Sequence, residues 1–289
     1  MNTMWNDTSW WSGRVCQPEP ILPVLALHGT ATTGRLWQGT EDYLRGRYRL
    51  IAPDLPGYGR SSRRTARDIS DVAGMVLDAM AGEAPMHLVG HGHGAAVALE
   101  IALLRPELVK SLTLIEPTLF HLLREGDRSD LALFTELASM AGKLAAAASG
   151  PNPAASMRIY VDFWYGTGAW RRTSEGLQQE LGRHAEQVGR DLAIALAETW
   201  LASRCRELNC PTLAVMALDS PTASLRVTEM VSEAIPGARL AMIPGAGHMA
   251  LLTDPHIVDP MIAAHLRAAD GKGTVGKSRR SMTPASHSL

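Results

Sequence analysis

Residues 88–100 read LVGHGHGAAVALE, and the fold turns on what this stretch is. It begins in a short apolar run, MHLVG from Met86, and ends in a helical pattern over 94–105. Glycines at 90, 92 and 94 stand between the two, with His91 and His93 in the gaps. An apolar run of strand length that passes through a Gly-rich turn into a helix is half of a strand–helix–strand unit.

The rest of the chain repeats that unit. Further apolar runs are ILPVLAL at 21, YRLIAP at 48, SLTLIEP at 111, PTLAVMAL at 211 and ARLAMIPG at 238. Each is apolar throughout, as strands buried on both faces should be. Helical patterns over 68–82, 225–235 and 255–268 alternate with them. This alternation predicts an α/β fold with a doubly wound, mostly parallel sheet.

The alternation breaks between 119 and 205, where only helical patterns occur, such as DLALFTELASMAGKLAAAA and SEGLQQELGRHAEQVGRDLAIALAETWLA. In the second, Leu177, Leu181, Val188, Leu192 and Leu196 fall near one face and are expected to pack on the core. The chain therefore divides into a core of 1–118 and 206–268 and a helical lid insertion of 119–205. The tail 269–289 is polar and Gly/Ser-rich and is expected to be disordered.

Composition narrows the function classes. The chain has 289 residues, 46% hydrophobic and 20% charged, with a formal net charge of −1. That balance fits a soluble globular protein and gives no basic face for nucleic acid. Cys16, Cys205 and Cys210 are too few and too uneven for a disulfide framework or a structural zinc site. The N-terminal stretch MNTMWNDTSWWSGRV lacks the form of a secretory signal. No uninterrupted apolar run approaches 18 residues, so no membrane span is expected. A cytoplasmic protein follows from these expectations.

Taken in order, LALHGT, IAPDLPGYGRSS, LVGHGHGAAVALEIALLRPELVKSLTLIEP, PTLAVMAL and IPGAGHMALLTDP resemble the α/β-hydrolase superfamily over roughly 21–118 and 206–268. The resemblance implies roles. The loop opened by His28-Gly29 would supply one oxyanion-binding amide, from Thr30 or Ala31. The residue after the nucleophile position, His93, would supply the second. The glycines at 90 and 94 would permit the tight turn. GAGHMALLTDP would carry the base, His248.

Two positions depart from the family pattern. Gly-x-Ser-x-Gly would place serine at 92, where this chain has Gly92, so the nucleophile position is vacant. The family's acid slot, just before a turn proline, is Ser220 before Pro221, with Asp219 one residue early. The alternative acid is Glu116, after the preceding strand, where some members place theirs. A carboxylate at either place would fix the tautomer of His248 and stabilise its protonated form.

Around the pocket stand His28, His91, Trp164 and Met249, with His91 alternatively packed beneath the turn and His93 lining the pocket. The lid aromatics Phe163, Trp164, Tyr165, Trp170 and Trp200 favour an apolar or aromatic small-molecule substrate where they face it. The four histidines invite a metal, but no carboxylate completes a familiar ligand string. No metal or cofactor is expected.

A base, an oxyanion hole and a dry lidded pocket remain. They suffice for direct water attack on an ester or lactone, or for other base-catalysed carbonyl chemistry. Three other readings stay open. The chain is a serine hydrolase whose nucleophile has been replaced by Gly92, a ligand-binding pseudoenzyme, or a relative of the cofactor-free dioxygenases, whose elbow reads Gly-His-Ser-His-Gly.

Overall fold

All six apolar runs are strands, and all pair in parallel. The computed structural model describes residues 22–61, 66–80, 85–150 and 152–277. Cys16, the stretch before it and residues 278–289 of the tail lie outside the described residues.

In chain order the elements are β1 (Leu22–Leu27), α1 (Gln38–Leu44), β2 (Tyr48–Ile51), α2 (Ile69–Ala79), β3 (Met86–His91), α3 (His93–Leu104) and β4 (Val109–Ile115). A helical insertion, expected from the sequence to form a lid, follows: α4 (Arg128–Ala148), α5 (Pro153–Tyr165), α6 (Ala169–Arg172), α7 (Glu175–Gly182) and α8 (Ala185–Ala197). The chain then returns to the core with β5 (Thr212–Ala217), α9 (Thr222–Ala234), β6 (Arg239–Ile243), α10 (Ala250–Thr253) and α11 (Pro255–Lys277). The last helix thus runs past residue 268 into the segment expected to be disordered.

Strand order is β2-β1-β3-β4-β5-β6. Helices cover both faces, so β1, β3, β4 and β5 are buried almost throughout. One core layer joins the sheet to α2, α3 and α9 through Val72, Leu99, Ile101, Val227 and Val231. The other joins it to α1, α10 and α11 through Leu44, Leu251, Val258, Ile262 and Leu266. Each fully buried aliphatic side chain contributes roughly 1.5–3 kcal/mol. The strand at 239–243 differs from expectation: it is an edge strand, and Arg239, Leu240 and Met242 are exposed.

Within the lid, α4 is long and apolar enough to cross a membrane by length and composition, with a mean hydropathy of 1.3 in its most apolar window. It packs on α5, α8 and α9. Its start is capped by Asp127, whose carboxylate accepts from the amides of Ser129 and Asp130.

Candidate active site

The chain leaves β1 for β2 at one edge and then crosses back over β1 to β3. This reversal leaves a crevice at the carboxyl ends of β1 and β3, where α/β sheets bind ligands. Gly29 and Thr30 follow β1, Gly92 follows β3, Glu116 follows β4 and His248 follows β6.

The turn at Gly92 is as sharp as the sequence requires. Gly92 has φ 55° and ψ −118°, a left-handed φ that glycine adopts without a Cβ penalty. Its N–H donates to Ile115 O at 2.9 Å, and its carbonyl accepts from Ala95, Ala96 and Thr118. Gly94 lies against β1, so that a Cβ there would meet Leu27 O at 2.2 Å. A Cβ placed on Gly92 itself would have room: its nearest neighbour is His248 Nε2, at 3.4 Å.

His248 Nδ1 lies 2.6 Å from Glu116 Oε2. Glu116 is fully buried, and nothing about its carboxylate is left to chance. Oε1 accepts the Ala217 N–H at 2.8 Å, and Oε2 accepts the Ser220 hydroxyl at 2.9 Å and the Ser224 hydroxyl at 3.4 Å. The backbone at Glu116 has φ 46°. Such a conformation costs about 1–3 kcal/mol for a residue with a side chain and recurs at functional sites. Asp219, the other sequence candidate, is exposed, and its contact with this region is backbone only, from its N–H to Ala246 O. On a tight turn, neighbouring side chains diverge. Ser220 faces Glu116, so Asp219 faces solvent.

With Nδ1 on a carboxylate, the Nε2 lone pair of His248 is directed toward Gly92. The ring is held on both sides. Trp164, from α5, stacks on it at 3.7 Å between centroids and 17° between planes. His91 lies at 4.3 Å and 37°. Two rings this close to one imidazole occupy opposite faces of it. His91 is therefore packed beneath the turn. Its Nε2–H donates to His248 O at 2.8 Å, and burial holds its pKa well below the ordinary value.

His28 also belongs to the scaffold. Its Nε2 accepts from Leu55 N at 2.8 Å, which puts the proton on Nδ1, and that atom donates to Gly29 O at 2.9 Å. Burial lowers its pKa to about 4. Met249 is partly buried and packs against the core layer of α10 and α11.

The loop after β1 is tied to the lid. Thr30 Oγ1 donates to Asp191 Oδ2 at 2.8 Å, and Tyr58 OH donates to the same oxygen at 2.6 Å. Gln187 donates to Oδ1 at 2.9 Å. Asp191, on α8, is buried. Tyr160 OH, on α5, donates to Thr30 O at 3.4 Å. Ala31 has φ 61°, which turns the loop back over the sheet. His93 begins α3, so its amide has no intrahelical acceptor, and the helix N-terminus favours negative charge. The hydroxyls of the loop are engaged: Thr30 with Asp191, and Thr32 with Gly29 O at 2.7 Å. Burial pushes the Cys205 thiol up to about 12, far from an activated thiolate.

Beside His93 is a cavity of about 10 Å³ lined by Leu55, Tyr58, Gln187, Asp191 and Ile194 among others, close to the space of one water. Glu116, His248 and Trp164 are all buried. Among the described residues, no group of three or more His, Cys, Asp or Glu side chains is arranged to hold a metal.

A family model of the alpha/beta hydrolase fold matches residues 23–255. The chain belongs to this family. A putative carbamate hydrolase, RutD, of Azorhizobium caulinodans is 28% identical over 83% of this chain and 89% of that protein. A pimeloyl-[acyl-carrier protein] methyl ester esterase of Methylococcus capsulatus is 41% identical over 34% of this chain, which spans only 36% of that protein. Among solved structures, a thermophilic esterase of Thermogutta terrifontis superposes with a TM-score of 0.67 at 21% identity, over 86% of this chain and 90% of that one. Ser220, before Pro221, donates its hydroxyl to Glu116. Asp191, Tyr58 and Tyr160 carry no motif that marks them; only the folded lid brings them to Thr30.

Proposed function

We propose that this alpha/beta hydrolase cleaves a small ester, lactone or carbamate by direct attack of water, with His248 and Glu116 as the general-base pair. The observation that carries this reading is the 2.6 Å contact of His248 Nδ1 with Glu116, which leaves Nε2 facing Gly92. Carbamate and ester bonds are named by the relatives.

In this mechanism His248 Nε2 takes a proton from water as the water oxygen bonds to the substrate carbonyl carbon. The resulting oxyanion lies between the amide of Thr30 or Ala31 and that of His93. Collapse breaks the bond to the leaving group, which receives the proton back from His248. Glu116 stabilises the imidazolium throughout. Proton transfer of this kind contributes about 10²–10⁴ in rate, and one oxyanion donor about 10²–10³. Losing the nucleophile of a working triad costs about 10⁶, so turnover should be slow beside that of a serine esterase.

A panel of activated esters, lactones and carbamates tests this. His248→Gln should lose at least about 100-fold in turnover, with no burst of product from the wild-type chain. Full turnover by His248→Gln would end the proposal. The room beside Gly92 supports a second reading, a serine hydrolase site that has lost its nucleophile. Gly92→Ser would place Oγ within reach of Nε2, and a product burst matching the enzyme concentration is then expected.

A further inference from the structure

We propose that Trp164 is a positioning residue for His248: its indole clamps the imidazole against His91 and stabilises the imidazolium that forms when His248 takes a proton. This rests on the reading of His248 as the base. Three observations carry it. The rings are nearly parallel at 3.7 Å, in van der Waals contact over their faces. The opposite face of His248 is occupied by His91, itself hydrogen-bonded to the backbone of residue 248. The imidazole therefore has one orientation, with Nδ1 on Glu116 and Nε2 toward Gly92.

The third observation is that the indole cannot swing freely. Phe163 packs on its edge at 4.9 Å, and Tyr160 and Phe120 lie at 6.2 and 6.4 Å. Helix α5 presents Tyr160 and Trp164 one turn apart, on one face. Trp164 reaches the base, while Tyr160 reaches the carbonyl of Thr30. A single lid helix thus touches both halves of the proposed machinery.

A cation over an indole face is stabilised by the ring quadrupole, most of all where water is excluded. The charged or titratable groups that face His248 are Glu116 at Nδ1 and His91 on the far face, the latter kept neutral by burial. Glu116 meets the ring at its edge and Trp164 covers its face, while His91 does not contribute charge.

The test reads the base itself. Histidine-labelled protein is titrated by NMR, with the His248 signals assigned by their absence in His248→Gln. Trp164→Leu keeps an apolar cover and removes the π face, while Trp164→Phe keeps a face. In the leucine variant the His248 midpoint should fall by about half a pH unit or more. In the phenylalanine variant it should stay near the wild-type value. The Nδ1 proton bound to Glu116 should persist in both, which shows that each has folded around the pair. An unchanged or higher midpoint in Trp164→Leu would overturn the proposal, as would equal shifts in the two variants. No turnover enters this measurement, so it is independent of the panel that tests the hydrolytic reading.

Discussion

At residue 116 a buried carboxylate meets His248 from the end of β4. Ser220 stands before Pro221, where the resemblance placed a carboxylate, and its hydroxyl lies 2.9 Å from Glu116 Oε2. A carboxylate at 220 would lie beside that of Glu116, and two carboxylates this close cannot both ionise. This argues for a swap experiment. Glu116→Ala should lower any His248-dependent turnover by about 10²–10⁴. Adding Ser220→Asp to Glu116→Ala should recover at least a tenth of that loss, on a logarithmic scale, because the new carboxylate enters the vacated space. Ser220→Asp alone should destabilise the fold, which a denaturant midpoint would report. A double variant as inactive as Glu116→Ala, with Ser220→Asp alone fully stable, would mean that residue 220 does not face the pair. Glycine at 92 is the other residue-scale departure. It supplies the left-handed φ without strain and keeps the turn intact.

At the scale of elements, the helical insertion meets the core through α5 and α8, both of which reach Thr30. Helix α5 bears on His248, and α8 bears on Thr30 through Asp191. Asp191 accepts from Thr30, Tyr58 and Gln187, and each buried donor left without an acceptor costs about 1–3 kcal/mol. Relaxation of the lid recovers part of that cost. Asp191→Ala should destabilise the protein by about 2–4 kcal/mol in denaturant unfolding. Thr30→Val should cost less when Asp191 is already alanine, giving a coupling of at least about 0.5 kcal/mol in the double-mutant cycle. Additive effects would show that α8 and the loop after β1 are independent. None of this could be read from the sequence, for a physical reason. Strands and the elbow announce themselves through local apolar periodicity and glycine spacing. A lid contact joins residues more than a hundred positions apart, and Asp191 in a helical pattern looks like any solvated acid. The same limit explains His28, whose ring is engaged with the backbone of Leu55 and Gly29: which way a side chain turns from the backbone depends on packing that no motif encodes. The contact between His248 and Glu116 was legible because each follows a strand, and strand ends converge at a crevice the topology dictates.

For the whole molecule, burial of histidine is a recurrent feature with a consequence for acid stability. Burial lowers the pKa of His28, His121 and His265 from the ordinary 6.5 to about 4. Above about pH 6.5 each is neutral whether the chain is folded or not, and contributes nothing to pH dependence. As the pH falls from 6.5 toward 4, the unfolded chain takes up protons that the folded chain refuses. Stability then declines, by at most about 1.4 kcal/mol per pH unit for each group. Below about pH 4 the folded chain binds them too, and their contribution levels off. Urea unfolding at pH 7, 6 and 5 should show a falling midpoint with an unchanged slope against denaturant. His265 lies far from the crevice, with Nε2 3.2 Å from Leu112 O, so its contribution can be separated from the site. Its replacement by glutamine keeps a polar atom near that carbonyl and removes one titrating group. The fall in stability between pH 7 and 5 should then shrink by up to one proton's share. An unchanged fall in His265→Gln would mean that this histidine is protonated in the folded protein, and that acid sensitivity must come from the carboxylates instead.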